Sequence, residues 1–288
     1  MTFSRSNRIP NPNRRPRGGV SWTLALSVLA SACAGGSDPS AGPRIPGTEA
    51  DESRRELAAD SPRASAPRSV PPTTDERADE RSRMVDTQIA ARGISDASVL
   101  AAMRTSPRHW FVPTERLREA YEDRPLGIGH GQTISQPFIV ALMTEALGLR
   151  PGGTVLEVGT GSGYQAAVLA CLTDRVFTVE IVRPLADRTD AVFRNRGYDK
   201  VERACADGYF GWEEKAPFDA IIVTCAASHI PPSLVRQLKA GGQMCIPVGG
   251  PFSTQRLMLL EKLEDGTTRS KSLELVRFVP MTGEIESR

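Results

Sequence analysis

From Thr154 onward the chain alternates short apolar runs with helical runs, and no other feature narrows its fold as much. Residues 154–158 (TVLEV), 175–179, 201–206, 218–224 (FDAIIVT) and 243–248 read as strands. Helical runs at 164–172, 184–196 and 232–238 lie between them, the second closed by Gly197. The run FDAIIVT is nearly continuous in apolar residues, as expected of a strand covered by helices on both faces. Two further strand-like runs, 257–263 and 273–279, are joined by Glu264-Asp265-Gly266, an Asp-Gly turn that reads as a hairpin. The pattern is that of an α/β protein with a doubly wound, mostly parallel sheet ending in an antiparallel hairpin. Extra helices precede the sheet. Residues 84–104 read as two short helices divided at Gly93, the second capped by Ser95 or Asp96, and 107–131 as a loop-rich stretch. Pro137 opens a strong helical run that Gly148 ends.

In a doubly wound sheet, ligands sit at the carboxyl ends of the strands. The first strand is followed by Glu157-Val158-Gly159-Thr160-Gly161-Ser162-Gly163, where alternate glycines allow a sharp turn and a close backbone approach. The second ends at Glu180, placed to accept hydrogen bonds from ribose hydroxyls, and the third at Asp207-Gly208, placed to reach a base edge. Three strand ends, each with one suitable group, point to an adenosine-containing cofactor. A dinucleotide site needs G-x-G-x-x-G and a pyrophosphate at a helix amino end. Here the spacing is G-x-G-x-G, and Glu157 would repel a pyrophosphate but suit a cationic amino-acid portion. The electrostatics therefore favour S-adenosyl-L-methionine, which carries a sulfonium and an ammonium and no phosphate.

The first 83 residues are of a different kind. They hold 10 of the 22 prolines and 13 of the 36 bases, all arginine, against 10 of the 34 acids. Basic residues from Arg5 to Arg17, an apolar run of about 13 residues and the small residues Ala30-Ser31-Ala32 form the pattern of a secretory signal. That run is shorter than the roughly 20 residues a membrane-spanning helix needs. Cys33 follows, so 1–33 is also similar to a bacterial lipoprotein leader, with Cys33 the lipid-bearing residue. The bland alternatives are a disordered extension, or a start assigned too far upstream with translation beginning at Met84. Residues 34–83 lack a hydrophobic period and read as a disordered tether, leaving 84–288 as the globular domain. A net charge of only +2 argues against nucleic-acid binding. Cys171, Cys205, Cys225 and Cys245 lack C-x-x-C spacing, and three scattered histidines give no metal motif. His130 and His229 receive no role, and Tyr164 reads as part of a helix start.

Residues 84–283 resemble the protein-L-isoaspartate O-methyltransferases over essentially their whole length. The resemblance is carried by PRHWFVP (107–113), AYEDRPLGIGHGQTISQPFIVALMTEAL (120–147), VLEVGTGSGYQAAVLA (155–170), DGYFGWEEKAPFDAIIVTCAA (207–227), QLKAGGQMCIPVG (237–249) and VRFVPMTG (276–283). GQTISQP is the most specific of these, since the glycine loop is shared by methyltransferases in general. Departures are Gly127, where the family often has a proline, and Cys225, where alanine is usual.

The resemblance implies a class I methyltransferase fold and methylation of the α-carboxyl of L-isoaspartyl residues, and less well D-aspartyl residues, in damaged proteins. The ester then closes to a succinimide that partly returns normal aspartate. It implies Ser135 as the catalytic, positioning residue. Gln132, Thr133, Ile134, Glu157, Gly159, Thr160, Gly161, Ser162, Gly163, Glu180, Asp207 and Gly208 would bind the cofactor, and no metal is implied. Ser135, Gln136, Thr224, Ala226 and Thr282 would bind substrate. Without the family match, Ser135 reads equally well as a helix cap. The expected partners are isoaspartyl proteins, with no nucleic acid and a membrane only if Cys33 is lipidated, and the expected state is a monomer. Cofactor supply favours the cytoplasm, whereas the leader favours the envelope. Two other functions stay open: a methyltransferase of the same fold acting on a small molecule, and a catalytically silent, lipid-anchored envelope protein.

Overall fold

The structure, a computed structural model, describes residues 72–251 and 253–287. The signal-like segment with Cys33 and the tether up to 71 lie outside the described residues.

Seven strands form the main sheet: β3 (Val155–Val158), β4 (Val176–Glu180), β5 (Glu202–Cys205), β6 (Phe218–Val223), β7 (Leu238–Val248), β8 (Gln255–Lys262) and β9 (Thr268–Val276). Their order is β5-β4-β3-β6-β7-β8-β9. The first five strands in that order run parallel, and β8 and β9 are antiparallel additions at one edge. Side chains alternate across the sheet. Val155, Ala220 and Ile222 join an apolar cluster on one face; Leu156, Val158, Ile221 and Val223 join a second on the other. Burial on both faces is why these strands are apolar at nearly every position.

Helices cover both faces. They are α1 (Ala78–Met84), α2 (Ala97–Thr105), α3 (Pro137–Ala146), α4 (Tyr164–Ala170), α5 (Arg183–Arg196) and α6 (Pro232–Gln237). Asp96 resolves the capping choice for α2, its carboxylate accepting the N–H groups of Ser98 and Val99.

The structure corrects three expectations. The tether does not extend to residue 83. Helix α1 begins at Ala78, and Arg81 is buried, its guanidinium donating to the carbonyls of Thr74, Glu76 and Arg104. An arginine-rich stretch reads as solvated, but a buried guanidinium with carbonyl acceptors organises this one. The loop-rich stretch 107–131 contains β1 (Leu126–Gly129), which pairs antiparallel with β2 (Gln132–Ile134). The hairpin turns on His130 and Gly131, both at positive φ (54° and 71°). Finally, β9 starts at Thr268 rather than 273 and stops at Val276. Its first five residues are polar and exposed because it is the edge strand.

Candidate active site

The chain crosses over between β3 and β6, which makes their carboxyl ends the topological switch point where a doubly wound sheet binds ligands. A cavity lies there, about 760 Å³ counting its open mouth. Its walls come from the β2 segment, the glycine loop after β3, the end of β4, the end of β6 and the chain's carboxyl-terminal segment.

The glycine loop is held from both sides. At Gly159 (φ 95°) an added Cβ would lie 2.6 Å from Thr224 Oγ1, so only glycine lets the loop approach β6 so closely. The Thr224 hydroxyl donates to the carbonyl of Gly159 (2.6 Å), and Gly161 N–H donates to Glu180 Oε2 (2.7 Å). Glu180 Oε1 accepts Val182 N–H (2.8 Å), which fixes the carboxylate while leaving lone pairs on each oxygen.

Glu157 is fully buried on strand β3. In the parallel register it lies opposite Thr178 of β4, whose hydroxyl donates to Glu157 Oε2 (2.6 Å) and also pairs with Thr160 Oγ1 (2.6 Å). Glu157 Oε1 has no hydrogen-bond partner. Burial, and secondarily the neighbouring Glu180 charge, pushes the Glu157 carboxyl up to about 8, against the lowering effect of the Thr178 bond. A buried carboxylate with one orphan oxygen, on a residue that lines the cavity, suits a cationic donor and would reject a phosphate. The residues present therefore fit the ammonium end of S-adenosyl-L-methionine.

Most residues singled out from the sequence meet at this cavity: Gln132, Thr133, Ile134, Ser135, Glu157 and Glu180. Gly159, Thr160, Gly161, Ser162 and Gly208 line it as well. Four do not. Gly163 caps α4 in the left-handed conformation, and an added Cβ would lie 2.7 Å from Thr189 and 2.8 Å from Phe193; its task is packing against α5. Asp207 accepts Tyr209 N–H (2.8 Å) and Glu284 N–H (2.7 Å) and is not part of the wall. Ala226 is buried and pairs through its backbone with Val279 and Met281. Gln136 faces a second, outer groove. Thr224 and Thr282, expected on the substrate side, line this same cavity, because the β6 end and the carboxyl-terminal segment run side by side there.

The outer groove, about 630 Å³, shares Thr133 and Ser135 with the cavity. These two residues form the partition between the two spaces. Helix α3 takes Gln136 as its N-cap with no side-chain capping bond, so the reading of Ser135 as a mere helix cap does not apply.

Sequence reasoning missed Thr178. The signal for it was a lone hydroxyl inside an otherwise apolar strand, two positions before Glu180 and on the same side of the pleat.

Comparison with known proteins gives one family. The family model for protein-L-isoaspartate(D-aspartate) O-methyltransferase matches residues 79–286. A protein-L-isoaspartate O-methyltransferase 2 of Polaromonas is 58% identical over 189 residues, covering 66% of this chain and 90% of that protein. The Opitutus terrae protein-L-isoaspartate O-methyltransferase is 55% identical over 208 residues, 72% of this chain and 89% of its own length. Among solved structures, one protein-L-isoaspartate O-methyltransferase superposes with TM-score 0.65 at 29% identity, covering 71% of this chain and 67% of that one. A Plasmodium falciparum protein, described as of the same type and solved in complex with S-adenosyl-L-homocysteine, gives 0.62 at 27% identity, covering 70% and 98%. With the cavity at the switch point and the family match spanning the described sheet and helices, the chain belongs to the protein-L-isoaspartate(D-aspartate) O-methyltransferase family.

Proposed function

We propose that the cavity receives S-adenosyl-L-methionine with its ammonium end at Glu157, its ribose at Glu180 and its adenine between Ile181 and Gly208, leaving Ser135 opposite the methyl group. The observation that carries this arrangement is that Glu157, which lines the cavity, is buried with one carboxylate oxygen lacking any hydrogen-bond partner. An exposed Ile181 side chain on the rim supports the adenine placement by offering an apolar contact.

The protein transfers a methyl group to the α-carboxyl of L-isoaspartyl residues, and less well D-aspartyl residues, in damaged proteins, starting their repair through a succinimide. When bound, the cofactor supplies an electrophilic methyl group. The acceptor carboxylate, with an unperturbed pKa of roughly 3.3–3.9, is already ionised near pH 7, so no residue of this chain acts as a strong base. What the chain contributes is position. The Ser135 hydroxyl, in the partition between groove and cavity, donates to one carboxylate oxygen and aims the other across Thr133 into the cavity. Ile134, which is buried, seals the partition against water from behind. Holding reacting groups in line supplies up to about 7–11 kcal/mol of barrier lowering.

Gln136 and the outer groove take the peptide on either side of the damaged residue. We place the protein in the cytoplasm, where the cofactor is made, as a monomer. The near-balanced charge supports the absence of a nucleic-acid partner. Membrane attachment would come only through a lipidated Cys33. Among the described residues, no helix is long and apolar enough to cross a membrane.

The test is methyl transfer from labelled cofactor to an isoaspartyl peptide and to its aspartyl counterpart. Labelling of the isoaspartyl peptide alone is expected; equal labelling of both, or of neither, overturns the reading.

A further inference from the structure

The outer groove is apolar along most of its length, formed by Pro125, Ile139, Leu275, Val276 and Phe278 around the partition residues. Its one charged side chain is Arg277. Arg277 is exposed and, among the described residues, has neither an ion-pair nor a hydrogen-bond partner. The nearby acid, Glu274, is not part of the groove and accepts the N–H of Leu275 instead. The backbone beneath Arg277 is fixed. Phe278 N–H donates to the fully buried Gln255 (2.9 Å), and Ala226 N–H donates to the carbonyl of Val279 (2.8 Å). Leu275, 62% exposed, lies two residues before it on the other side of buried Val276.

A rigidly based, unpaired guanidinium in an apolar groove is a recognition element for an anion. The anion it serves is not the reacting carboxylate. That group loses its charge when the new O–C bond forms, so a cation resting on it would stabilise the ground state more than the transition state and slow the reaction. Arg277 therefore matches a second anionic group, one that keeps its charge throughout.

Resting on the function proposed above, we infer that Arg277 makes this protein select isoaspartyl sites flanked by an acidic residue. The exposed Leu275 adds apolar contact along the same stretch of peptide. Because the guanidinium faces solvent, the selection is modest and carried by binding: about 2- to 5-fold in KM for a flanking Glu over a flanking Gln. A flanking Lys loses by a similar factor, and both differences shrink with added salt.

The test measures kcat and KM for isoaspartyl peptides bearing Glu, Gln or Lys one or two positions to either side of the isoaspartyl residue. Wild-type protein, Arg277→Gln and Arg277→Glu are compared at 20 and 300 mM salt. Expected are a Glu preference in the wild type, carried in KM and weakened by salt, its disappearance in Arg277→Gln, and a Lys preference in Arg277→Glu. The inference is overturned by a wild type indifferent to flanking charge, by a preference that survives in both variants, or by one carried in kcat. If no isoaspartyl peptide is methylated at all, it is the proposed function that has failed.

Discussion

Replacing Glu157 by Gln separates what this side chain does for the cofactor from what it costs the fold. In the structure its carboxyl is pushed up to about 8 by burial, from 4.5 when unhindered. The sign follows from linkage. Between those two values the folded, ligand-free protein keeps a proton that the unfolded chain has released, so stability falls as pH rises, by about 1.4 kcal/mol per unit. At pH 7 the accumulated loss is about 3 kcal/mol as an upper bound. Glutamine has no charge to bury and can still accept the Thr178 hydroxyl. Glu157→Gln therefore stabilises the ligand-free protein at pH 7, raising Tm by at most roughly 6–12 °C for a domain of this size. Below pH 4.5 the gain vanishes.

Binding moves the other way. An ammonium at Oε1 needs the ionised carboxylate, so wild-type affinity for S-adenosyl-L-homocysteine should rise about tenfold per pH unit up to about 8 and release close to one proton at pH 7. The variant lacks this term. The ratio of its Kd to that of the wild type, in which the ligand's own titration cancels, grows about tenfold per unit from pH 6 to nearly 8. Calorimetry in buffers of different ionisation enthalpy, with thermal melts of the ligand-free proteins, reads both effects. A variant that binds as tightly as the wild type across this range, or melts lower at pH 7, refutes the reasoning.

Three further outcomes follow from the same contacts. Ser135→Ala should lower kcat about 10²-fold, the cost of losing one positioning contact, while calorimetry shows cofactor affinity within a factor of about three; a comparable loss of affinity would move Ser135 into the cofactor site. Thr178→Val removes the bond that lowers the Glu157 pKa, so the pH above which cofactor affinity levels off should move upward; an unchanged profile would mean that Thr178 does not position the carboxylate. A chain beginning at Met84 loses the Arg81 bonds to the carbonyls of Thr74, Glu76 and Arg104 and should melt several degrees below one beginning at residue 72. Equal melting temperatures would restore the tether to residue 83.

Where burial dictates composition, the sequence spoke clearly. Strands β3, β4 and β6 are covered on both faces, and their apolar runs stand out. Glu157 and Glu180 were readable because an acid at the end of such a run has no packing reason to be there. The edge strand β9 obeys no such rule, since Thr268–Ser272 face solvent, and half of it was invisible to hydrophobic patterning. The β1–β2 hairpin was hidden by its glycines, which read as loop until His130 is seen to share the left-handed turn. Site residues split along the same line. Position relative to strand ends identified which residues gather at the cavity but not what each one touches. Asp207 and Gly163 stand at the right strand end and helix start, yet neither lines the cavity: Asp207 holds the Glu284 backbone and Gly163 packs against Phe193. Such contacts come from segments distant in sequence, which local patterns do not encode.

In the proposed complex, Glu157, Glu180 and Ser135 surround one bound molecule in a fixed order. Crystals grown with S-adenosyl-L-homocysteine test it most directly. Density is expected in this cavity with the amino nitrogen within hydrogen-bond distance of Glu157, the ribose hydroxyls on Glu180 and the sulfur on the Ser135 side. Density with the molecule reversed, or seated in the outer groove with Glu157 still unpartnered, contradicts it.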